Sequence, residues 1–460
     1  MMRLRAFLLT AVAATTIASA PAAAKKKKLP PAPIPAPQVA LPASANGLTV
    51  RYYYERRQYP SIWFGANGGD AAIGQLVTIL RRAPVDGFAE GPSLAASVEA
   101  AVQRARASND PMQVKAAELA LSAAWADYVQ ALKRPSSNVI YGDPALAMTA
   151  PHVDRTLALA EAAPSLAQHI ASVSAVNPYY AAIRDVAVAE AAANGGRASD
   201  KVLLNLERAR IIPGTGKYIL VNSAEQRLHM MEGGQSVGSM KVVVGDNDKL
   251  GLPTPIIAST MYYAIANPYW HVPDHLVRKF APAIAKEGEA YMKRNGYEVI
   301  SDFTENSQVL PTSSVDWKAV AAGTQKALLR QRPNGLNSMG RMKFPFPNKE
   351  GIYLHDTPKR DYFALANRAK SNGCIRIEDY RKLAFWLFGR DVAAVGTDPE
   401  QHIAMTRGVP VYVTYLTMAP SPTGMASFED RYGWDRPGAM AGGMPARASS
   451  VAVGGVGSAN

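Results

Sequence analysis

Tyr353-Leu-His-Asp-Thr-Pro358 and Ser371-Asn-Gly-Cys-Ile-Arg376 are the two segments around which the rest of the sequence can be arranged. Cys374 is the only cysteine in the 460 residues, and His355 precedes it closely in the chain. A cysteine in a Ser/Asn/Gly turn, with a histidine within loop reach, predicts an activated thiol nucleophile. The competing interpretation is a small buried apolar residue, because cysteine is among the residue types most often found in protein cores.

The beginning of the chain favours the first interpretation. Residues 1–24 combine Arg3 and Arg5 with a short apolar run, Phe7 to Ile17, and small residues at which cleavage is expected between Ala20 and Ala24. This is the pattern of a secretory signal peptide. Structural cysteines of exported proteins usually occur in pairs, so a single one indicates a reactive thiol or an intermolecular bridge. No later stretch is long and apolar enough to predict a transmembrane segment.

The composition describes a basic chain with ample material for large cores. The formal charge is +13 and the hydrophobic fraction is 48%. For an exported protein, such a charge predicts anionic surroundings, such as cell-wall polymers or lipid headgroups. A nucleic-acid partner is not expected, because the sequence has no recognition motif and no dense basic helix.

The first half of the chain predicts a tether followed by a helical domain. Residues 25–46 are rich in Lys and Pro, which gives an extended linker. Residues 47–200 predict an α-helical domain, since apolar side chains recur there at helical spacing in four stripes: Ile73, Leu76, Val77 and Leu80; Leu94, Val98 and Val102; Leu121, Trp125, Tyr128 and Leu132; Tyr179, Ile183 and Val186.

The second half predicts a mostly β domain over residues 201–418, so that the fold class is α+β. β-branched and aromatic residues fill 217–222, 226–231, 236–244, 256–266, 352–355 and 409–416, with Gly233-Gly234 as a hairpin turn. An insertion of about residues 271–335, with a helical stretch from Leu276 to Arg294, predicts a lid or binding loop. A helix is expected over 378–388. Residues 419–460 predict a largely disordered C-terminal extension, with disorder expected beyond about Pro437.

The residues around Cys374 suit acyl transfer. A thiolate attacks acyl carbons, and both an imidazole and a nearby helix N-terminus favour thiolate formation. The turn Ser371 to Gly373 can direct backbone N–H groups at an oxyanion, and His355 can move the proton. Either Asp356 or a backbone carbonyl would fix the tautomer of His355. One Cys and one nearby His cannot complete a metal site, and the His271 and His275 pair is interrupted by Pro273, so neither metal nor cofactor is expected.

These segments resemble the signature of the YkuD-domain L,D-transpeptidases. The resemblance is closest to the large YcbB-like branch, which also shows Asn267-Pro-Tyr-Trp-His-Val-Pro273 and Asn337-Ser-Met-Gly-Arg341 in similar form. It covers roughly residues 48–435. It implies an N-terminal α-helical scaffold domain, a mostly β catalytic domain with a helical capping insertion, and a periplasmic location. One departure is Asn372, where the family more often has His; since Asn is no base, the catalytic histidine must be His355.

The resemblance also implies roles for individual residues. Cys374 is the expected nucleophile and His355 the general base and acid. Gly373, with the backbone N–H of Cys374 and with Asn372, is expected to form the oxyanion hole. Four residues are expected to bind or orient the acyl donor, namely Arg376, Tyr353, Trp270 and Ser371. A structural salt bridge for Arg376 and core packing for Trp270 remain equally good interpretations.

The implied reaction joins two peptidoglycan stems. Cys374 attacks the carbonyl of diaminopimelate in a tetrapeptide stem, expels D-alanine and forms a thioester, which a second diaminopimelate amine resolves as a 3→3 crosslink. Two alternatives keep this chemistry but use another acceptor, either an amine of an outer-membrane protein or lipoprotein, or water. A third is a catalytically silent wall-binding scaffold. The resemblance further implies inhibition by carbapenems, which would acylate Cys374.

Overall fold

The computed structural model describes residues 39, 44–108, 110–247 and 252–439. The chain divides into two compact units, Met1–Ala40 and Leu41–Asn460, and every element below belongs to the second. The expected signal peptide and almost the whole expected linker lie outside the described residues, as does the tail beyond residue 439. The fold class is α+β, as predicted: a helical region is followed by a mostly β domain.

The helical region forms because amphipathic segments, separated by Pro, Gly and Asn, bury their apolar stripes against one another. Its helices are α1 Gly47–Arg56, α2 Asp70–Arg82, α3 Gly91–Ser108, α4 Pro111–Leu132, α5 Val153–Glu161, α6 Leu166–Ala175, α7 Pro178–Ala193 and α8 Asp200–Ala209. The side chains of Asp110, Ser165 and Asn177 accept backbone N–H bonds at the starts of α4, α6 and α7. None of the helices in the described ranges is long and apolar enough to cross a membrane.

The main sheet is formed by the second half of the chain, together with one short strand from the helical region. Its strands are β1 Ile140–Tyr141, β2 Lys217–Asn222, β3 Arg227–Glu232, β4 Gln235–Gly245, β5 Ile257–Ala266, β10 Met342–Pro345, β11 Tyr353–His355, β12 Ala369–Ser371, β13 Ile375–Ile377 and β14 Gln401–Thr414. The predicted Gly233-Gly234 turn joins β3 and β4, with φ of 56° and 83°, values that glycine adopts without strain.

The main sheet closes on itself. Its order is β1-β5-β10-β11-β13-β4-β3-β2-β14, and β14 also pairs with β5. Apolar side chains alternate along the strands and point into the closed sheet, where they form the core. Helix α12, Tyr380–Phe388, packs Leu383, Ala384 and Leu387 against this core. Closure removes the sheet edges and fixes the register of the short strands β10, β11 and β13 between longer neighbours.

A cap is inserted between β5 and β10, which we define as residues 270–331. It contains β6 Trp270–His271, α9 Asp274–Glu287, α10 Glu289–Asn295, β7 Tyr297–Ile300, β8 Val309–Leu310, α11 Trp317–Ala322 and β9 Leu328–Gln331. Its strands form a separate sheet in the order β6-β9-β7-β8. The single helical stretch predicted from Leu276 to Arg294 is two helices, because Gly288 at φ 57° and ψ −133° leaves the helical region between them.

The first part of the C-terminal extension is folded. Residues 419–439 are described, and β15 Met418–Ser421 pairs with β16 Gly424–Ser427 as a hairpin. The aromatic rings of Tyr415, Tyr432 and Trp434 then pack together with centroids less than 5 Å apart. These aromatic residues give the described part of the extension a core of its own. The disorder expected beyond about Pro437 falls almost entirely on residues outside the described ranges.

Asn205 joins the helical region to this extension. Its amide Nδ2 donates to Thr417 Oγ1 at 2.8 Å, and its Oδ1 accepts the N–H groups of Thr417 and Met418 at 2.7 and 3.3 Å. The side chain is fully buried. Beside it, Arg208 forms an ion pair with Asp435 at 2.7 Å.

We expect Asn205→Ala to lower the free energy of unfolding by about 2–4 kcal/mol, because it leaves buried N–H groups without an acceptor. Chemical denaturation measures the loss. Asn194→Ala, at the exposed end of α7, is the control and should change stability little. An equal effect of both substitutions would contradict the role assigned to Asn205.

Candidate active site

Three basic residues form a row across adjacent strands on one face of the sheet. Lys343 on β10 is the register partner of His355 on β11, and His355 is the partner of Arg376 on β13. Side chains alternate faces along a strand, so Tyr353 and Cys374, each two residues earlier, point to the same face. The two sequence segments that predicted the site are therefore brought side by side by strand pairing, with Cys374 diagonal to His355.

His355 is held in one tautomer. Its Nδ1 lies 2.6 Å from the carbonyl oxygen of Asp356, which can only accept, so Nδ1 carries the proton and Nε2 is left as the base. The side chain is 2% exposed. Burial, with the positive charges of Arg376 and Lys343, lowers the pKa of His355 to about 3 against the bond to Asp356, which acts in the opposite direction. The imidazole is therefore neutral at physiological pH and able to accept a proton.

Contacts with Asp356 determine the shape of the neighbouring Asn337-to-Arg341 segment. The Asp356 carboxylate accepts the N–H of Arg341 at 2.8 Å and forms an ion pair with Arg360. Gly340 has a φ of 64°, and a Cβ built there would lie 2.3 Å from Asp356 Oδ2. Only glycine fits this approach, so the segment holds the carbonyl that fixes His355.

Cys374 is half-buried and lies directly before β13. Its Sγ lies 3.6 Å from the carbonyl oxygen of Gly351. The hydroxyl of Tyr353 forms a side-chain hydrogen bond with Cys374; burial and the nearby thiolate charge, together with this bond, raise the pKa of Tyr353 well above its usual value. Tyr353 therefore stays protonated and can donate to a thiolate, a role that the sequence did not suggest.

Hydrogen bonds within the turn before Cys374 hold its conformation. The N–H of Gly373 donates to Ser371 Oγ at 3.1 Å, and Ser371 Oγ donates to the carbonyl of Cys374 at 2.6 Å. The Gly373 N–H therefore has an acceptor within the turn, and its oxyanion role stays a prediction. Ser371 is buried with its hydroxyl bonded within the turn, and its contact with the acyl donor also stays a prediction. Gly373 also supplies the turn's φ of 107°.

The prediction that a helix N-terminus lies next to Cys374 and favours its thiolate is wrong. Strand β13 follows the cysteine, and helix α12 begins only at Tyr380, with Asp379 as its cap. The pattern over 378–388 predicted the helix itself correctly. It did not reveal that the apolar residues Ile375 and Ile377 pair with neighbouring strands first.

The remaining predicted site residues lie around this face. Arg376 has buried Nε and Nη1 atoms without a hydrogen-bond partner, and it forms no ion pair within the described ranges, so the salt-bridge interpretation has no support there. Trp270 is 9% exposed and belongs to the cap core, against which Tyr353 also packs. Substrate contact by Arg376, Tyr353 or Trp270, and an oxyanion role for Asn372, stay predictions.

Two residues near the nucleophile escaped the sequence analysis. Thr254 is buried, and its Oγ1 donates to the carbonyl of Gly373 and accepts the N–H of Gly245, both at 2.8 Å. No motif marks it, because it lies 119 positions from Gly373. Lys343 did leave a signal, since it is the one charge in the apolar strand Met342-Lys-Phe-Pro345.

This arrangement defines a cysteine–histidine site for acyl transfer beneath a cap. A thiol lies beside a neutral, oriented imidazole and a phenol donor, which are the parts that thiol-based acyl transfer needs. The sequence comparisons agree with that class. Residues 216–413 match the YkuD family, described as the L,D-transpeptidase catalytic domain, and residues 48–186 match the Scaffold domain. The chain therefore carries a YkuD L,D-transpeptidase catalytic domain and a Scaffold domain, the combination found in YcbB-like proteins.

Individual proteins are also similar to parts of this chain. A provisionally named L,D-transpeptidase of Haemophilus influenzae is 26% identical over 321 residues, which is 67% of this chain and 64% of that protein's length. The chain thus spans somewhat under two thirds of this curated relative. Among solved structures, the Ldtfm–avibactam carbamoyl enzyme and an L,D-transpeptidase from Mycobacterium smegmatis are each 12% identical with a TM-score of 0.22. They cover 44% of this chain and 50% and 59% of their own.

The low pKa of His355 predicts the pH dependence of thiol labelling. We expect iodoacetamide labelling of Cys374 to show no inflection near 6.5, since His355 remains a neutral base down to about pH 3. His355→Ala should slow labelling at pH 7 by about tenfold or more, because the thiol loses its base. His229→Ala, at a histidine bound to Glu225, is the control. An inflection between pH 6 and 7 that disappears in His355→Ala would contradict the neutral imidazole.

Thr254→Val tests whether Thr254 positions the turn before Cys374 in addition to stabilising the fold. Valine keeps the shape but leaves the Gly373 carbonyl and the Gly245 N–H unpaired, which should lower the free energy of unfolding by about 1–3 kcal/mol. Labelling of Cys374 should also slow under fully folded conditions, because the turn is no longer held. Thr260→Val removes another buried hydroxyl, which donates to Asp143, and should affect stability alone. Equal labelling rates in both variants would exclude the positioning role.

Proposed function

We propose that the protein forms 3→3 crosslinks between peptidoglycan stems through a thioester on Cys374. The observation that carries the proposal is the single sheet face on which the oriented base His355, the Tyr353 hydroxyl and the thiol of Cys374 meet. The match to an L,D-transpeptidase catalytic domain supports this substrate class, since a transpeptidase transfers an acyl group from one peptide to another.

In the first half-reaction the thiol attacks the carbonyl of the third stem residue. His355 Nε2 accepts the thiol proton as the S–C bond forms, and negative charge develops on the carbonyl oxygen. Collapse of the tetrahedral intermediate breaks the C–N bond to D-alanine, whose amine takes the proton from His355. Because burial makes the imidazolium unfavourable, its proton is readily returned to the leaving group.

In the second half-reaction an amine attacks the thioester. His355 Nε2 accepts a proton from the incoming diaminopimelate amine, an amide bond forms, and the thiol leaves with that proton. A thioester is reactive enough for an amine yet resists water better when the site is enclosed. The cap, whose core contacts Tyr353 next to the nucleophile, is placed to provide this enclosure.

The acceptor and the location belong to the same proposal. We infer that the protein works in the periplasm, on the basis of the signal-like residues 1–24 and the charge of +13. Tetrapeptide stems are the proposed donors and diaminopimelate amines the proposed acceptors. Amines of outer-membrane proteins, or water, are the alternative acceptors. A silent wall-binding scaffold is disfavoured, since a scaffold would have no need of an oriented neutral histidine beside a thiol.

We expect Cys374→Ala to abolish crosslinking of purified tetrapeptide muropeptides, because the nucleophile is removed; the rate should fall by several orders of magnitude. Mass spectrometry of the products measures dimers, tripeptides and released D-alanine. The same variant should lose the carbapenem adduct, which should appear on Cys374 of the unchanged protein with the mass of the intact drug.

The matched control is Ser371→Ala, which alters the turn but leaves the thiol in place and should still form the adduct. Tripeptides without dimers would identify water as the acceptor. Dimers formed by Cys374→Ala at the rate of the unchanged protein, or an adduct on a serine, would overturn the proposal.

A further inference from the structure

Lys343 and Arg376 are the two charged groups in the row of basic residues, and the proposed reaction uses neither. Lys343 lies on β10 beside His355, and its Nζ is 4.5 Å from the centroid of the Tyr353 ring. That ring carries the hydroxyl bonded to Cys374. The ammonium group is therefore held against the nucleophile's own hydrogen-bond partner, on the cap side of the site.

The surroundings of Lys343 leave its charge largely uncompensated. Glu400 is the nearby carboxylate, but its Oε1 accepts the N–H of Tyr269 at 2.6 Å. Lys343 forms no ion pair with it or with any other carboxylate in the described ranges. Burial lowers the pKa of Lys343, while Glu400 and Cys374 act in the opposite direction. A half-buried charge without a counter-ion is costly and needs a reason.

The other basic groups on the cap side do not share this property. Arg330 pairs with Glu298 at 2.8 Å and stacks on the ring of Tyr269. Burial, with the charges of Lys343 and Arg330, lowers the pKa of His271 to about 4, so that this imidazole is neutral. Lys343 is thus the cation of this side that remains available to an anionic ligand.

We propose that Lys343 forms a carboxylate subsite that binds the acyl donor next to the scissile carbonyl. The proposal rests on the function proposed above and deepens it, since it concerns the recognition of the same stem. A carboxylate that enters the cleft would supply the missing counter-ion of Lys343, with the ring of Tyr353 as the wall between subsite and nucleophile.

Two carboxylates of the donor lie nearest to the scissile carbon. Bond lengths place the carboxylate of the leaving D-alanine about 4 Å from the scissile carbon, and the side-chain carboxylate of diaminopimelate up to roughly 7 Å from it. The two groups share one chemistry but extend in different directions from the reacting carbon. Amidating one at a time therefore distinguishes them.

The first arm of the test needs no peptide. Iodoacetate and iodoacetamide alkylate the same thiol, but only iodoacetate carries a carboxylate. We expect Lys343→Met to lower the ratio of the iodoacetate to the iodoacetamide rate by roughly five- to tenfold, and Lys343→Arg to retain most of it. Lys217→Met is the matched control, because Lys217 Nζ also lies 4.5 Å over a ring, that of Trp386, far from the row of basic residues.

The second arm uses three donors: the tetrapeptide stem, its C-terminal carboxamide, and the stem with an amidated diaminopimelate side chain. Lys343→Met should raise the KM for the unmodified stem by about tenfold. It should have no effect on the donor that lacks the contacted carboxylate. The donor for which Lys343→Met and the unchanged protein have the same KM identifies the contacted carboxylate, either that of the leaving D-alanine or that of diaminopimelate.

The outcomes separate this proposal from the function on which it rests. An unchanged alkylation ratio in Lys343→Met overturns the subsite. A changed ratio with equal losses on all three donors overturns its assignment to the carboxylates of D-alanine and diaminopimelate. If the unchanged protein turns over none of the donors while the ratio still shifts, the proposed function fails and the anion site stands. Thermal unfolding of each variant ensures that folded proteins are compared.

Discussion

The hydrogen bond from His355 Nδ1 to the carbonyl of Asp356 is the interaction on which the site depends. It determines which ring nitrogen can accept a proton, and it turns that nitrogen toward the face that carries Cys374. The bond holds because the Asp356 peptide cannot rotate: its carboxylate is bound by the Arg341 N–H and by Arg360, and Gly340 lies against it. The end of β11, the loop at Asp356 and Gly340 together keep the proton of His355 on Nδ1.

The row of basic residues is stable only because the closed sheet enforces it. Lys343, His355 and Arg376 are neighbours through strand pairing, and like charges on adjacent strands repel. The protein limits this repulsion by keeping the central member neutral. Pairing of β14 with β5 closes the sheet and prevents β10, β11 and β13 from shifting register, which would relieve the repulsion but scatter the site.

Much of this could be predicted from the sequence, because the signals were local. Strand β2 was predicted with its observed bounds, and the Gly233-Gly234 turn was read from two adjacent residues. Cys374 and His355 stood out because one cysteine and one histidine lay in loops typical of an acyl-transfer site. The α+β class followed from the change of hydrophobic period near residue 213, and the structure confirms it.

What the sequence could not give depends on contacts between distant segments. Thr254 reaches Gly373 only through the closed sheet, and the aromatic core of Tyr415, Tyr432 and Trp434 forms only when the chain returns past β14. The hydrogen bonds that Ser371 and Gly373 form within their turn could not be predicted for a related reason. Their composition indicated a turn with N–H groups to offer, but composition does not reveal which of those groups the turn itself consumes.

Tyr353 belongs to two structures at once. Its ring packs against the core of the cap, and its hydroxyl bonds the nucleophile. A rearrangement of the cap must therefore move one end of a rigid phenol whose other end sets the chemistry of the sulfur. The reactivity of Cys374 therefore depends on the position of the cap. A substitution in the core of the cap can alter catalysis even where the substituted residue does not touch the substrate.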